Sequence, residues 1–107
     1  MVIKDGNIRA ARGEDFALHF RVMENGKPYA MQYGDRIQLI VKKMMTAEEP
    51  ALIDRTAVNN NVIRVKASDT EDLMIRKYRY MVRLIKSDGS KHILVDTHNF
   101  EIIGGNV

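Results

Sequence analysis

The chain has 107 residues, enough for one domain over 1–107 whose core needs neither disulfide nor metal to hold it. It contains no cysteine, which excludes a disulfide framework, a thiolate zinc knuckle and a thiol nucleophile, and fits a reducing compartment. Seventeen basic and fourteen acidic residues give a net charge of +3 and a pI near 9.3, an excess spread along the chain rather than gathered into a tail.

In chain order the pattern predicts short strands parted by tight turns. Ile8-Arg9-Ala10-Ala11 reads as a first strand, stopped by Arg12-Gly13-Glu14-Asp15. In the next, Phe16, Leu18, Phe20 and Val22 point one way while Ala17, His19 and Arg21 point the other. Asn25-Gly26 turns the chain, and Lys27-Pro28-Tyr29 leaves it extended because proline fixes φ. A third strand over 36–44 sends Ile37, Leu39 and Val41 to one face and Gln38, Ile40 and Lys42 to the other.

Thr46-Ala47-Glu48-Glu49 has the form of a capping box, with Pro50 ending the helix after one turn. Segments 52–58 and 62–67 read as a hairpin joined by Asn59-Asn60-Asn61, with Ile63, Val65 and Ala67 facing the core. Ser68 and Glu71 form a second capping box, which predicts a helical turn over 69–73. The strand from Tyr78 then alternates at every step, with Tyr80, Val82 and Leu84 inward, and Asp88-Gly89 supplies a two-residue hairpin turn. Phe100 and Ile102 complete a last strand before Gly104-Gly105 frays. Seven or eight antiparallel strands at this spacing predict an all-β, immunoglobulin-like β-sandwich.

Little in this pattern carries chemistry. His19, His92 and His98 have no second ligand at metal-binding spacing, so they read as solvated or hydrogen-bonded histidines. Asp69, Glu71 and Asp72 suit a helix start better than a calcium loop. Ser68, Ser87 and Ser90 lie in no nucleophile elbow, and Gly104-Gly105 has no helix after it to hold a phosphate. The expectation is no catalytic residue, no cofactor, no metal and no small-molecule substrate. Tyr78 is expected to reach back to backbone near Leu73, as tyrosine corners do.

The two outward faces differ. One, from the second strand and segment 62–67, would show His19, Arg21, Arg64 and Lys66, a candidate contact for nucleic acid or another anionic polymer. The other would set Ile40 beside Met81 and Ile85, rimmed by Gln38, Lys42, Arg79 and Arg83. Apolar residues where the alternation could have placed polar ones mark Ile40, Met81 and Ile85 as a candidate protein interface.

The order of turn and core signals resembles a known family. Arg12-Gly13-Glu14-Asp15-Phe16-Ala17-Leu18-His19-Phe20, Asn25-Gly26-Lys27-Pro28-Tyr29, Ile37-x-Leu39-x-Val41-Lys42-Lys43, Ala67-Ser68-Asp69-Thr70-Glu71-Asp72-Leu73, Lys77-Tyr78-x-Tyr80 and Ser87-Asp88-Gly89 carry it. Together they are similar to the immunoglobulin-like N-terminal domain of upper baseplate proteins in tailed phages of Gram-positive bacteria. Leu73-Met74-Ile75-Arg76-Lys77 stands where that family usually has a proline–glycine approach to the tyrosine strand. The resemblance implies a non-enzymatic structural module of a phage or prophage tail, made in the bacterial cytoplasm and built into the virion. It implies contacts with other tail proteins or with copies of itself. No stretch approaches membrane-spanning length, so no membrane partner is expected, and nucleic acid bound through the basic face is the alternative reading.

Overall fold

β-Branched and aromatic residues alternate with polar ones along most of the chain, and a pleated strand is the conformation that sorts such a pattern onto two faces. The computed structural model describes residues 1–104. Over these the protein is all-β apart from one helical turn. The strands are β1 (Val2–Lys4), β2 (Asn7–Ala11), β3 (Phe16–His19), β4 (Met23–Glu24), β5 (Lys27–Pro28), β6 (Arg36–Lys42), β7 (Ile53–Val58), β8 (Val62–Val65), β9 (Lys77–Ile85) and β10 (Lys91–Ile103), with α1 (Ala67–Thr70) between β8 and β9. Ten strands replace the expected seven or eight, because β1 and the two-residue arms β4 and β5 were not read as strands.

Six strands form one sheet in the order β1-β2-β10-β9-β6-β7, while β3 pairs with β8 and β4 with β5. The inward residues of β6 and β9 meet Leu18 of β3 and Ile63 and Val65 of β8 in one core with Ile8, Phe100 and Ile102. Ile37, Leu39, Val41, Val82, Phe100 and Ile102 are fully enclosed. Full burial of an aliphatic side chain contributes about 1.5–3 kcal/mol, so this set dominates the stability. Phe16 and Phe20, also expected inside, are partly buried and pack against its edge.

The strand pairing departs from the expectation in two places. β10 pairs with β2 in parallel, Phe100 opposite Ile8, so the sheet is mixed rather than antiparallel throughout. β7 and β8 do not form a hairpin: β7 pairs with β6 and β8 with β3. The Asn59–Asn61 segment (59–61) is instead a crossover between sheets. Asn59 takes a positive φ of 57°, donates its amide to the Asp35 carbonyl at 2.8 Å and accepts the Gly34 amide at 2.5 Å. Those bonds hold the crossover on the neighbouring loop, where a hairpin turn would have left it free.

Turn chemistry accounts for most boundaries. Asp5-Gly6 and Asn25-Gly26 each have two successive positive φ angles, the signature of the two-residue turns that join β1 to β2 and β4 to β5. At the end of β9 only Gly89 has positive φ, and its amide bonds the Lys86 carbonyl at 2.8 Å. The hairpin is therefore wider than the expected two-residue Asp88-Gly89 turn. β6 stops at Lys42 rather than continuing to Met44, and residues 46–49 make a turn, not a helix. α1 begins two residues earlier than expected, so that Ala67 opens the helical turn instead of ending a strand. Asp69, not Glu71, caps it by accepting the Lys66 amide at 2.9 Å, because Asp69 is also held by Arg55. The last strand is a single long β10 with register shifts between Ile93 and Val95 and between Val95 and His98. Gly105 lies outside the described residues, and its expected fraying with it.

The tyrosine strand behaves as its alternation predicts. Tyr78 donates its hydroxyl to the Met74 carbonyl at 2.8 Å, one residue beyond the expected Leu73. Tyr80 donates to the Gly6 carbonyl and stacks edge-on against Phe100 at 6.1 Å.

Candidate interaction surface

Once β6 sends Ile37, Leu39 and Val41 and β9 sends Val82 and Leu84 to the core, the register fixes what stands outside. Ile40 is directly opposite Met81, with Lys42 opposite Arg79 on one side and Gln38 opposite Arg83 on the other. Ile40 and Met81 are both partly buried. Gln38 is a relay across three strands: its carbonyl accepts Arg83 Nε at 2.7 Å and its amide donates to Asp54 at 2.7 Å. This ordered polar row stands beside the apolar pair and fixes the side chains around it.

The third expected member is buried. Ile85 lies opposite Arg36 and Lys91 on the same face, but only 7% of it is exposed. It belongs to no part of the main core cluster, so it is closed over from the outer side. Its register neighbours carry long aliphatic stems, which can cover an apolar side chain while their charged ends stay in water. Ile85 therefore offers little accessible surface on this face of the isolated chain. Two apolar residues that the sequence reading missed do stand free on this face: Val58, opposite Arg36, and Ile93, opposite Arg83. They are 56% and 62% exposed. The signal for both was strand pairing, which alternation along one strand does not contain.

The face is also strongly basic. β6 contributes Arg36 and Lys42, β9 Lys77, Arg79 and Arg83, and β10 Lys91. Among the described residues none of these six makes an ion pair. Arg79 donates instead to the Asn99 side chain and Lys42 to the Thr46 carbonyl. The acids on the face are Asp54, taken up by Gln38, and Glu101, paired with Arg9 at 2.7 Å. One sheet face thus carries a larger positive excess than the +3 of the whole chain. At its β1 end lies a cleft of about 400 Å³ with Lys4, Asn7, Arg9, Lys77 and Asn99 on its walls, along with Asp5 and Glu101.

The other candidate face is weaker. His19, Arg21, Arg64 and Lys66 are all exposed, as expected, and β3 does pair with β8. Opposite His19 stands Val62 and opposite Arg64 stands Ala17, so the four residues form no continuous row. Asp15 borders them and accepts the Ala67 amide at 2.6 Å. Among the described residues no three His, Asp or Glu side chains come close enough together to hold a metal ion.

Two buried or half-buried carboxylates serve the scaffold. Asp35 accepts from the Tyr29 hydroxyl at 2.6 Å and from the amides of Gln32 and Ser87, which hold its pKa below the usual carboxylate range against the opposing effect of burial. The same bond to Asp35 pushes the Tyr29 phenol up to about 12. Burial raises the Asp69 pKa, but the Arg55 guanidinium and the Lys66 amide outweigh it and leave the group below its ordinary value. Neither is free to exchange protons near neutral pH.

No protein-family model and no curated protein matches the sequence.

Proposed function

We propose that this chain is an immunoglobulin-like β-sandwich module of a phage or prophage tail that acts by protein–protein contact through the outer face of its six-stranded sheet. One observation carries the reading: Ile40 and Met81 meet across β6 and β9 on the side away from the core. Apolar side chains paired there are only partly buried by the fold of the isolated chain and would gain from further burial against a neighbour. The ordered Arg83–Gln38–Asp54 row beside them favours a preset contact surface over an adaptable one.

The sandwich part of the reading draws on the β3–β8 pair, whose inward residues share the core of the larger sheet, and on the Tyr78 bond to backbone just before its strand. The tail placement draws on the family resemblance of the turn and core motifs.

The test is co-sedimentation. In cells that produce the phage, the chain should sediment with tail particles, and Met81→Asp should release it. If the wild-type chain stays at the top of the gradient while particles form normally, the tail reading is wrong.

A further inference from the structure

The charge on this face says what kind of partner it takes. Building on the reading above, we infer that the outer face of the six-stranded sheet docks a partner protein whose contact surface has an apolar centre and an acidic rim. The six cations on the face of Ile40 and Met81 make no ion pair within the described residues, and only Lys77 stands opposite an acid, Glu101, which Arg9 already holds; cations left so around an apolar pair favour the opposite charge from outside. The cleft at the β1 end extends the basic area and adds the side-chain amides of Asn7 and Asn99, suited to a carboxylate-bearing loop.

A second copy of the chain fits poorly. A two-fold contact would place the same face on both sides, so that Arg36, Arg79, Arg83 and Lys91 would meet a surface with the same positive excess. Like charges brought together at an interface repel, so electrostatics opposes symmetric self-association here.

Nucleic acid fits less well than acidic protein. Strand-binding surfaces interleave cations with aromatic platforms on which bases stack. Here both tyrosines of β9 point inward, at 2% and 3% exposure, and aliphatic Ile40, Met81 and Ile93 occupy the centre of the face. Phosphate would neutralise the rim and leave those side chains uncovered.

The experiment is a resonance-shift titration of the isotope-labelled chain with three probes: a short peptide of leucines flanked by glutamates, its lysine-for-glutamate counterpart, and duplex DNA. The acidic peptide should shift the amides of Ile40, Met81 and Lys77, and the basic peptide should not. Its affinity should fall as salt shortens the screening length from about 10 Å at 0.1 M to about 3 Å at 1 M. The double variant Lys77→Glu/Lys91→Glu, altered only at exposed positions, should bind about tenfold more weakly, and the Lys→Gln pair should fall between. Stronger shifts at the same face with DNA, or dimerisation through it at low salt, would overturn the inference about the partner and leave the contact face standing. Shifts confined to β3 and β8, or none with any probe, would overturn both.

Discussion

Asp35 accepts the backbone amide of Ser87 at 2.9 Å, joining two turns 52 positions apart in sequence. The same carboxylate takes the Gln32 amide and the Tyr29 hydroxyl, and it is only 1% exposed. Removing it would leave three donors to find partners again in a nearly closed site. Asp35→Ala should therefore cost about 3 kcal/mol in urea unfolding. The pH dependence follows in sign. A folded pKa below the unfolded value of about 3.9 gives stability that is present above that pH and lost as pH falls through the folded pKa. The wild-type chain should lose stability on acidification below about pH 4, and the alanine variant should lose less over the same interval.

The core makes a graded prediction. Leu39 is fully buried between β7 and β9, and Leu39→Ala should cost about 2–5 kcal/mol. Phe20 is partly exposed, so Phe20→Ala should cost less. Tyr78→Phe keeps the buried ring and removes only the bond to Met74, a loss of about 1 kcal/mol. A different ranking in thermal unfolding would mean that the core is packed otherwise.

Two glycines separate backbone strain from crowding. Gly6 and Gly26 both have positive φ, at 81° and 76°. A Cβ at Gly6 would lie 2.7 Å from the His98 ring, whereas one at Gly26 meets nothing within 4 Å. Gly26→Ala should show the conformational cost alone, about 1 kcal/mol, and Gly6→Ala should exceed it. Equal costs would mean that His98 moves aside freely.

Met81 and Ile85 lie on one face of β9 yet should respond oppositely to the same change. Met81→Asp places a carboxylate between Arg79 and Arg83 at a partly exposed site, and the melting temperature of the isolated chain should hardly move. Ile85→Asp puts a charge into a closed site and should destabilise by at least about 2 kcal/mol.

What could be read from the sequence was local. Alternation along β6 and β9 set Ile40 beside Met81, and the tyrosine strand fell where its period placed it. Pairing between distant strands was out of reach. The parallel match of Phe100 with Ile8 and the passage of residues 59–61 between sheets depend on which strand is free to accept a neighbour. The same gap hid the basic face, since Arg36, Arg79 and Lys91 become one surface only after β6, β9 and β10 are side by side. Ile85 was misplaced for a related reason: a period of two gives the side of a sheet, not what lies over it.

Methionine oxidation tests the contact face most directly. Met81 sits on that face, while Met23 and Met74, at 42% and 69% exposure, lie on a separate hairpin and on the approach to β9. Brief peroxide treatment followed by peptide mass spectrometry reports each thioether separately. Between the isolated chain and the chain assembled in a tail particle, Met81 oxidation should drop sharply while Met23 and Met74 stay reactive. Unchanged oxidation of Met81, with protection appearing at Met23 or Met74 instead, would contradict the assignment of this face.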